Sequence, residues 1–147
     1  MTRRACTHLC ALGLLAALCA YPTTAAQGIE AEIEVAYDQC VEEYTAQSGS
    51  SLAPLIDCRA EQYDRWDAAL NEVYQSLRRA LDDDARTALR DAQRAWLAFR
   101  DVEFELLDAT WGDEGMIGAV LIAEHRVLLV QERWHHLTTM RDEVVQD

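Results

Sequence analysis

Eight side chains beside the apolar stripes of predicted helices have the types and spacing that could do chemistry. They are Asp67, Asn71 and Tyr74, then Gln93, Trp96, Arg100 and Asp101, and finally Arg133. Spacings of three, four and seven residues place most members of each set on one helix face. Because buried polar groups need hydrogen-bond partners, we predict one polar cluster between helices. Either arginine would pair with one of the two aspartates, and the amides of Asn71 and Gln93 would bridge.

The predicted role of this cluster is to fix the register of the helices, with Trp96 as a core anchor. Contact with a ligand is the alternative role. Elsewhere, Glu132 and His135 form a single Glu-x-x-His, whereas di-iron bundles use two such motifs and two further glutamates. The sequence contains no recognisable phosphate loop and no nucleophile beside a base. We therefore expect no enzyme activity, no metal and no cofactor.

The elements that must position these side chains are four predicted helices. Helical spacing of apolar residues indicates a first helix at about 29–46 and a last one at about 116–142. A second helix should begin near Asp57, a good N-cap residue, after a loop that contains Pro54. The aspartates at 82–84 suit a helix N-terminus, so a third helix should begin near Asp84. One unbroken helix over 58–109 is the alternative.

Apolar stripes identify the residues expected in the core. On the first two helices they are Ile29, Ile33, Ala36, Cys40 and Tyr44, then Trp66, Leu70, Val73, Leu77 and Leu81. On the last two they are Leu89, Ala92, Trp96, Phe99, Phe104 and Leu107, then Val120, Val127, Leu128, Trp134, Leu137 and Met140. No stretch alternates with the period of a strand, and the connections are short. The sequence therefore predicts an all-α fold, a small antiparallel bundle of about four helices.

The first 26 residues have the features of an export leader. Arg3 and Arg4 precede a short apolar run, and small residues follow near Ala26. We expect cleavage after Ala26, which leaves residues 27–147 as one domain in the periplasm or outside the cell. A lipidated Cys19 and a twin-arginine signal are alternatives, but Leu18 is bulky for the first and the flanking residues do not support the second. No later run is long and apolar enough to span a membrane.

Two cysteines remain after the leader is removed. Cys40 and Cys58 would form a disulfide in an oxidising compartment, closing a loop of 17 intervening residues. Removing Arg3 and Arg4 also leaves 11 basic residues against 26 acidic ones, a net charge of −15. Such a charge disfavours nucleic acid and anionic lipid as partners and attracts cationic ones.

The ordered motifs of this chain resemble those of the LprI-like lysozyme-inhibitor family of small exported helical domains. The matching pieces are Leu70-Asn71-Glu72-Val73-Tyr74, then Leu89 with Gln93, Trp96, Arg100 and Asp101, the turn Gly112 to Gly115, and Arg133 with Leu137. The resemblance runs from about Cys40 to Leu137. The family pattern has a second cysteine pair, at positions that hold Phe104 and His125 here. The domain therefore lacks a second disulfide, and packing of Phe104 near His125 is the expected replacement.

The resemblance implies a protein that binds lysozyme, a basic wall-degrading enzyme. Binding would block the enzyme sterically, and electrostatic attraction would favour the association. The exposed loops at 48–55 and 111–115 are candidate contact regions. The candidate partner-binding residues are Trp111, Asp113, Glu114, Asp82, Asp83 and Asp84. The alternative function is a structural or interaction module of the cell envelope without inhibitory activity. The sequence does not specify an oligomeric state.

Overall fold

The computed structural model describes residues 25–48 and 52–146, and within them the chain forms four α-helices and no strand. The helices are α1 (Ala25–Ser48), α2 (Ala53–Ala80), α3 (Asp83–Trp111) and α4 (Gly115–Gln146). The predicted all-α fold is therefore confirmed. Residues 1–24, nearly all of the predicted leader, lie outside the described residues. None of the four helices combines the length and the apolar character needed to cross a membrane.

Helix α2 begins earlier than predicted, at Ala53 rather than near Asp57. Leu52 occupies the N-cap position and makes no side-chain hydrogen bond there. Pro54 lies in the first turn, where its fixed φ suits a helix and its missing N–H is not needed. The predictions that Pro54 belongs to the loop and that Asp57 caps the helix are wrong for this reason. Helices α1 and α4 also extend beyond their predicted limits.

The break between α2 and α3 falls at Leu81 and Asp82, so the alternative of one unbroken helix is wrong. Asp82 caps α3, since its carboxylate accepts a hydrogen bond from the backbone N–H of Ala85 at 2.8 Å. Arg86 closes the junction by donating to the carbonyl oxygens of Arg78 at 3.1 Å and Leu81 at 2.7 Å. The last carbonyls of a helix lack partners within it. One guanidinium therefore satisfies the end of α2 and fixes the start of α3.

Helices α2 and α4 share the most extensive interface of the fold. At its centre the rings of Trp66 and Trp134 meet edge to face, with centroids 5.1 Å apart. Nearer the start of both helices, Arg59 lies 3.7 Å from Glu124, so the two helices run parallel. Helix α1 packs mainly on α2, and α3 mainly on α4. Consecutive helices are antiparallel as predicted, but the central pair is a parallel one.

The buried apolar side chains form one cluster along this central pair. They are Ile33 of α1, Trp66, Ala69, Leu70, Val73 and Leu77 of α2, Leu89 of α3, and Val127, Val130, Trp134 and Leu137 of α4. The predicted α2 stripe is confirmed from Trp66 to Leu77. Four predicted core residues are exposed instead: Ala92, Phe99, Leu128 and Met140. Those on α3 are exposed because that helix rests mainly on one neighbour and buries only a narrow stripe.

Helix α1 is fastened to α2 by a disulfide and a buried amide. Cys40 and Cys58 are bonded with their Cα atoms 5.8 Å apart, which confirms the predicted disulfide. One turn further along α2, Gln62 is only 2% exposed. Its Nε2 donates to Oε1 of Glu34 at 3.0 Å, and its Oε1 accepts a hydrogen bond from Arg59 at 2.6 Å. The Gln62 amide therefore connects Glu34 of α1 to Arg59 of α2, and Arg59 in turn lies near Glu124 of α4.

Loss of the disulfide should destabilise the domain strongly. In residues 27–147, Cys40→Ser with Cys58→Ala should lower the free energy of unfolding by about 3 kcal/mol, because the unfolded chain regains the entropy of an open loop. Urea denaturation followed by circular dichroism measures the change. Reductant should produce a similar loss in the unmodified protein and none in the variant. An unfolding midpoint that is equal in all four samples would contradict the prediction.

Removing the amide of Gln62 should cost more than removing an exposed amide. Gln62→Met keeps the volume of the side chain but deprives Glu34 of its donor and Arg59 of an acceptor, which should cost about 1–3 kcal/mol. Asn71→Ala removes an exposed hydrogen bond on the same helix and should change the stability by about 0.5 kcal/mol or less. Denaturant unfolding compares the two variants. Equal losses would show that the Gln62 network does not stabilise the fold.

Candidate functional site

Five of the eight side chains predicted to form one polar cluster line a groove between α2 and α3, and the other three lie outside its lining. The groove has a volume of about 240 Å3, and its walls include Asp67, Asn71 and Tyr74 on one side and Gln93 and Trp96 on the other. Nδ2 of Asn71 donates to Asp67 on its own helix at 3.0 Å. The predicted amide bridge from Asn71 to Gln93 is not present among the hydrogen bonds of the described residues. Asn71 pairs with Asp67 instead, and Gln93 accepts a hydrogen bond from Arg133 of α4.

The α3 side of the groove is tied to α4 through Trp96. Nε of Arg133 donates to Oε1 of Gln93 at 3.1 Å, and its guanidinium carbon lies 5.8 Å from the centroid of the Trp96 ring. The guanidinium carbon of Arg100 lies 5.7 Å from the same ring. A cation over an aromatic face is attracted by the ring quadrupole, so both contacts hold Trp96 in place. Trp96 itself is partly buried and packs against the core cluster.

Two arginines near this groove, Arg100 and Arg133, have shifted pKa values. Partial burial opposes the charged form of Arg100, but its hydrogen bond with Asp101 at 2.8 Å and the nearby Tyr63 leave its pKa raised. Burial lowers the pKa of Arg133. An arginine stays protonated in proteins whichever way its pKa moves. These shifts therefore leave both arginines charged, and they create no group poised to exchange a proton at neutral pH.

The histidine of the Glu-x-x-His motif contacts another helix. Nε2 of His135 lies 3.4 Å from Oε1 of Glu30 on α1, and the two side chains are 46% and 39% exposed. Within residues 25–48 and 52–146, no three potential metal ligands come together. The geometry assigns His135 to the α1–α4 contact.

The residues predicted to bind a partner lie at opposite ends of α3. Asp82, Asp83 and Asp84 surround its first turn, whereas Trp111, Asp113 and Glu114 follow its last turn. A helix of 29 residues is roughly 43 Å long, so the two groups form two separate acidic ends. Residues 52–55, the described part of the candidate loop at 48–55 that leads into α2, lie at the same end of the bundle as Trp111, because α2 and α4 both begin there. Residues 49–51 of that loop lie outside the described part of the chain.

The turn after α3 is shaped by two glycines and by the ring of Trp111. Gly115 has a φ of +62°, a conformation that favours glycine. A Cβ on Gly118 would collide with the carbonyl oxygen of Trp111, so only glycine permits this close approach. The indole of Trp111 packs on the ring of His125, with centroids 4.8 Å apart. Trp111 is therefore held under its own turn, while Asp113 and Glu114 are exposed.

Phe104 and His125 make separate contacts between helices. The guanidinium carbon of Arg126 lies 4.9 Å from the centroid of the Phe104 ring. The rings of Phe104 and Tyr63 meet edge to face, with centroids 6.1 Å apart. His125 contacts Trp111, as described above. Arg126 also donates to both carboxylate oxygens of Asp108 at 2.9 Å. Non-covalent contacts of Phe104, Arg126 and His125 thus join α3 to α4 near positions 104 and 125, where packing was expected in place of a disulfide.

A second cleft and the polar residues beside it were not predicted from the sequence. A cleft of about 260 Å3 between α2, α3 and α4 is lined by Arg59, Tyr63, Phe104 and Arg126, among others. Burial is the main cause of a raised pKa of Tyr63, opposed by the nearby Arg100. The buried position of the neighbouring Gln62 could have been recognised from the sequence. It falls four residues after Cys58 and four before Trp66, so a polar residue interrupts an apolar stripe.

Comparison with known proteins identifies the family. The family described as "Lysozyme inhibitor LprI" matches residues 43–137. The crystal structure of an uncharacterised protein from Burkholderia thailandensis is similar, with a TM-score of 0.68 and 32% sequence identity over 78% of this chain. The present chain spans about half of that protein, since the match covers 55% of its length. No curated protein matches the chain. Because the family match covers well over half of its residues, this protein belongs to the LprI lysozyme-inhibitor family.

Proposed function

We propose that the mature protein, residues 27–147, is exported and inhibits a lysozyme, a cationic wall-degrading enzyme, by binding it and covering its substrate cleft. The observation that carries this proposal is the family match over residues 43–137. The leader-like sequence of residues 1–26 supports export to the periplasm or beyond the cell. The partner is a protein, and inhibition requires only that the complex exclude substrate.

The charge of the mature domain supports a cationic partner. Eleven basic residues stand against 26 acidic ones, and the sequence pI of the whole chain is about 4.6. A surface of one sign raises the rate at which oppositely charged proteins meet. The two acidic ends of α3 would act in this way, because Asp84, Asp113 and Glu114 are exposed and form no ion pair with another described residue. Their role is to accelerate encounter, whereas the contact itself needs apolar surface.

Lysis of bacterial cell walls should slow when the mature protein is added to a purified basic lysozyme. At molar excess of the protein, the fall in turbidity should be largely suppressed, because bound lysozyme cannot reach its polymer substrate. Raising the ionic strength from about 0.05 M to about 0.5 M should weaken this effect, since the screening length shortens severalfold. Full lysozyme activity at every salt concentration would refute inhibition and would favour an envelope module without inhibitory activity.

Neutralising the two acidic ends should slow association with lysozyme. The variant carries Asp83→Asn, Asp84→Asn, Asp113→Asn and Glu114→Gln, and it retains Asp82 because this residue caps α3. Its association rate should fall by about tenfold at low salt, while the dissociation rate changes little. Surface plasmon resonance measures both rates.

A control variant separates position from total charge. It removes four exposed carboxylates of α1 and α2 through Asp38→Asn, Glu42→Gln, Glu43→Gln and Glu61→Gln. This control should retain most of the association rate. Equal slowing in both variants would show that total charge matters and that the two ends have no special role.

A further inference from the structure

Helix α3 carries a second apolar stripe that faces solvent. Its three large members are Phe99, Val102 and Leu106, which are 50%, 61% and 56% exposed. The stripe continues at alternate intervals of three and four residues in both directions. We call it the outer seam, and its members are Ala85, Ala88, Ala92, Ala95, Phe99, Val102, Leu106 and Ala109. All of them except the half-buried Ala85 are exposed.

The outer seam differs from the face of α3 that packs on the bundle. The inward residues Leu89, Trp96 and Leu107 each follow a seam residue by one position. One position rotates a side chain by roughly 100° around an α-helix. A surface helix normally has one apolar stripe with polar residues opposite it. Helix α3 has two adjacent stripes, and no other described element covers the outer one.

The spacing of the outer seam suits contact with another helix. Apolar residues at alternating intervals of three and four form the stripe through which helices pack in coiled coils. The alanines of the first half permit close approach, and Phe99, Val102 and Leu106 would project between side chains of a partner. Phe99 also borders a groove of about 360 Å3 between α3 and α4, which Trp96 and Leu129 line. A helix on the seam could fill this groove with one of its own side chains.

The charges beside the outer seam indicate the chemistry of that helix. On the edge away from α4, the positions before Ala85, Ala92 and Leu106 hold Asp84, Asp91 and Glu105, and the position before Phe99 holds Ala98. On the other edge, the positions after Ala88, Ala95, Val102 and Ala109 hold Leu89, Trp96, Glu103 and Thr110. None of these eight flanking positions is basic. In helix pairs the flanking residues select the partner through opposite charges.

We propose that the outer seam is the docking surface of this protein and that it takes an amphipathic helix of a cationic protein, with an apolar stripe flanked by lysine or arginine. A second copy of this chain fits poorly, since the acidic residues of one edge would meet no basic residue among these flanking positions in either orientation. The inference deepens the proposed function and relies on it for the identity of the partner as lysozyme.

The direct probe is a pair of synthetic helical peptides with leucine at the seam-facing positions. One peptide has lysine at the flanking positions and the other has glutamate. Calorimetric titration of the mature protein should show binding of the lysine peptide and at least about tenfold weaker binding of the glutamate peptide. Absence of binding by the lysine peptide, or equal binding of both, would overturn the proposal. Dimerisation of the protein through the seam, seen by sedimentation equilibrium, would overturn it as well.

Matched variants locate the contact. Val102→Ser removes part of the seam, whereas Val35→Ser removes a valine of similar exposure, 53%, from α1. Glu105→Lys changes the seam edge, whereas Glu61→Lys makes the same charge change on an exposed site of α2. Each seam variant should bind the lysine peptide with about tenfold lower affinity, and each control should change this affinity by less than about twofold. Seam variants that bind as well as their controls would overturn the proposal.

The same four variants in the cell-wall lysis assay distinguish the two proposals. If the lysine peptide binds through the seam but lysozyme is never inhibited, the docking surface stands and the proposed function fails. If lysozyme is inhibited equally by the seam variants and the controls, the proposed function stands and the seam is refuted as the docking surface. Loss of inhibition in the seam variants alone supports both.

Discussion

The contact between Trp66 and Trp134 is the interaction on which the rest of the bundle depends. Burial of one indole gives about 4–6 kcal/mol by its apolar area. Nε1 of Trp66 has no hydrogen-bond partner among the described residues, which costs about 1–3 kcal/mol. The gain exceeds the cost, so the pair can remain fully buried. Together with the contact between Arg59 and Glu124 it sets α2 and α4 parallel. Helix α3 connects them in the sequence and therefore runs back along the length of the bundle.

The outer helices are attached to this central pair by different means. A covalent bond and a buried amide hold α1 on α2, whereas Arg126 and Arg133 of α4 hold α3 through its aromatic rings and polar side chains. Guanidinium contacts of this kind require little burial of the helix that makes them. This explains how α3 can keep much of its surface in solvent while its axis stays fixed.

Features that depend on neighbouring residues could be predicted from the sequence, and features that depend on helix pairing could not. The helix number, the Asp82 turn, the core stripe of α2 and the Cys40–Cys58 disulfide follow from local spacing and from cysteine parity. The parallel central pair does not, because short connections indicate only that consecutive helices are antiparallel. The same limit led to Phe99 being assigned to the core, since a helix with two apolar stripes does not reveal which one its neighbours cover.

The parallel pair also sets the orientation of the molecule relative to anything joined to its chain. Helix α1 starts, and α4 finishes, at the end of the bundle that holds the Asp82 turn, as the contact of Glu30 with His135 indicates. Helices α2 and α4 both begin at the far end. A tether or reporter fused at either terminus would therefore hold the bundle by one pole. The opposite end of the bundle and the outer seam of α3 would then stay accessible to a soluble binding partner when the protein is attached to a surface.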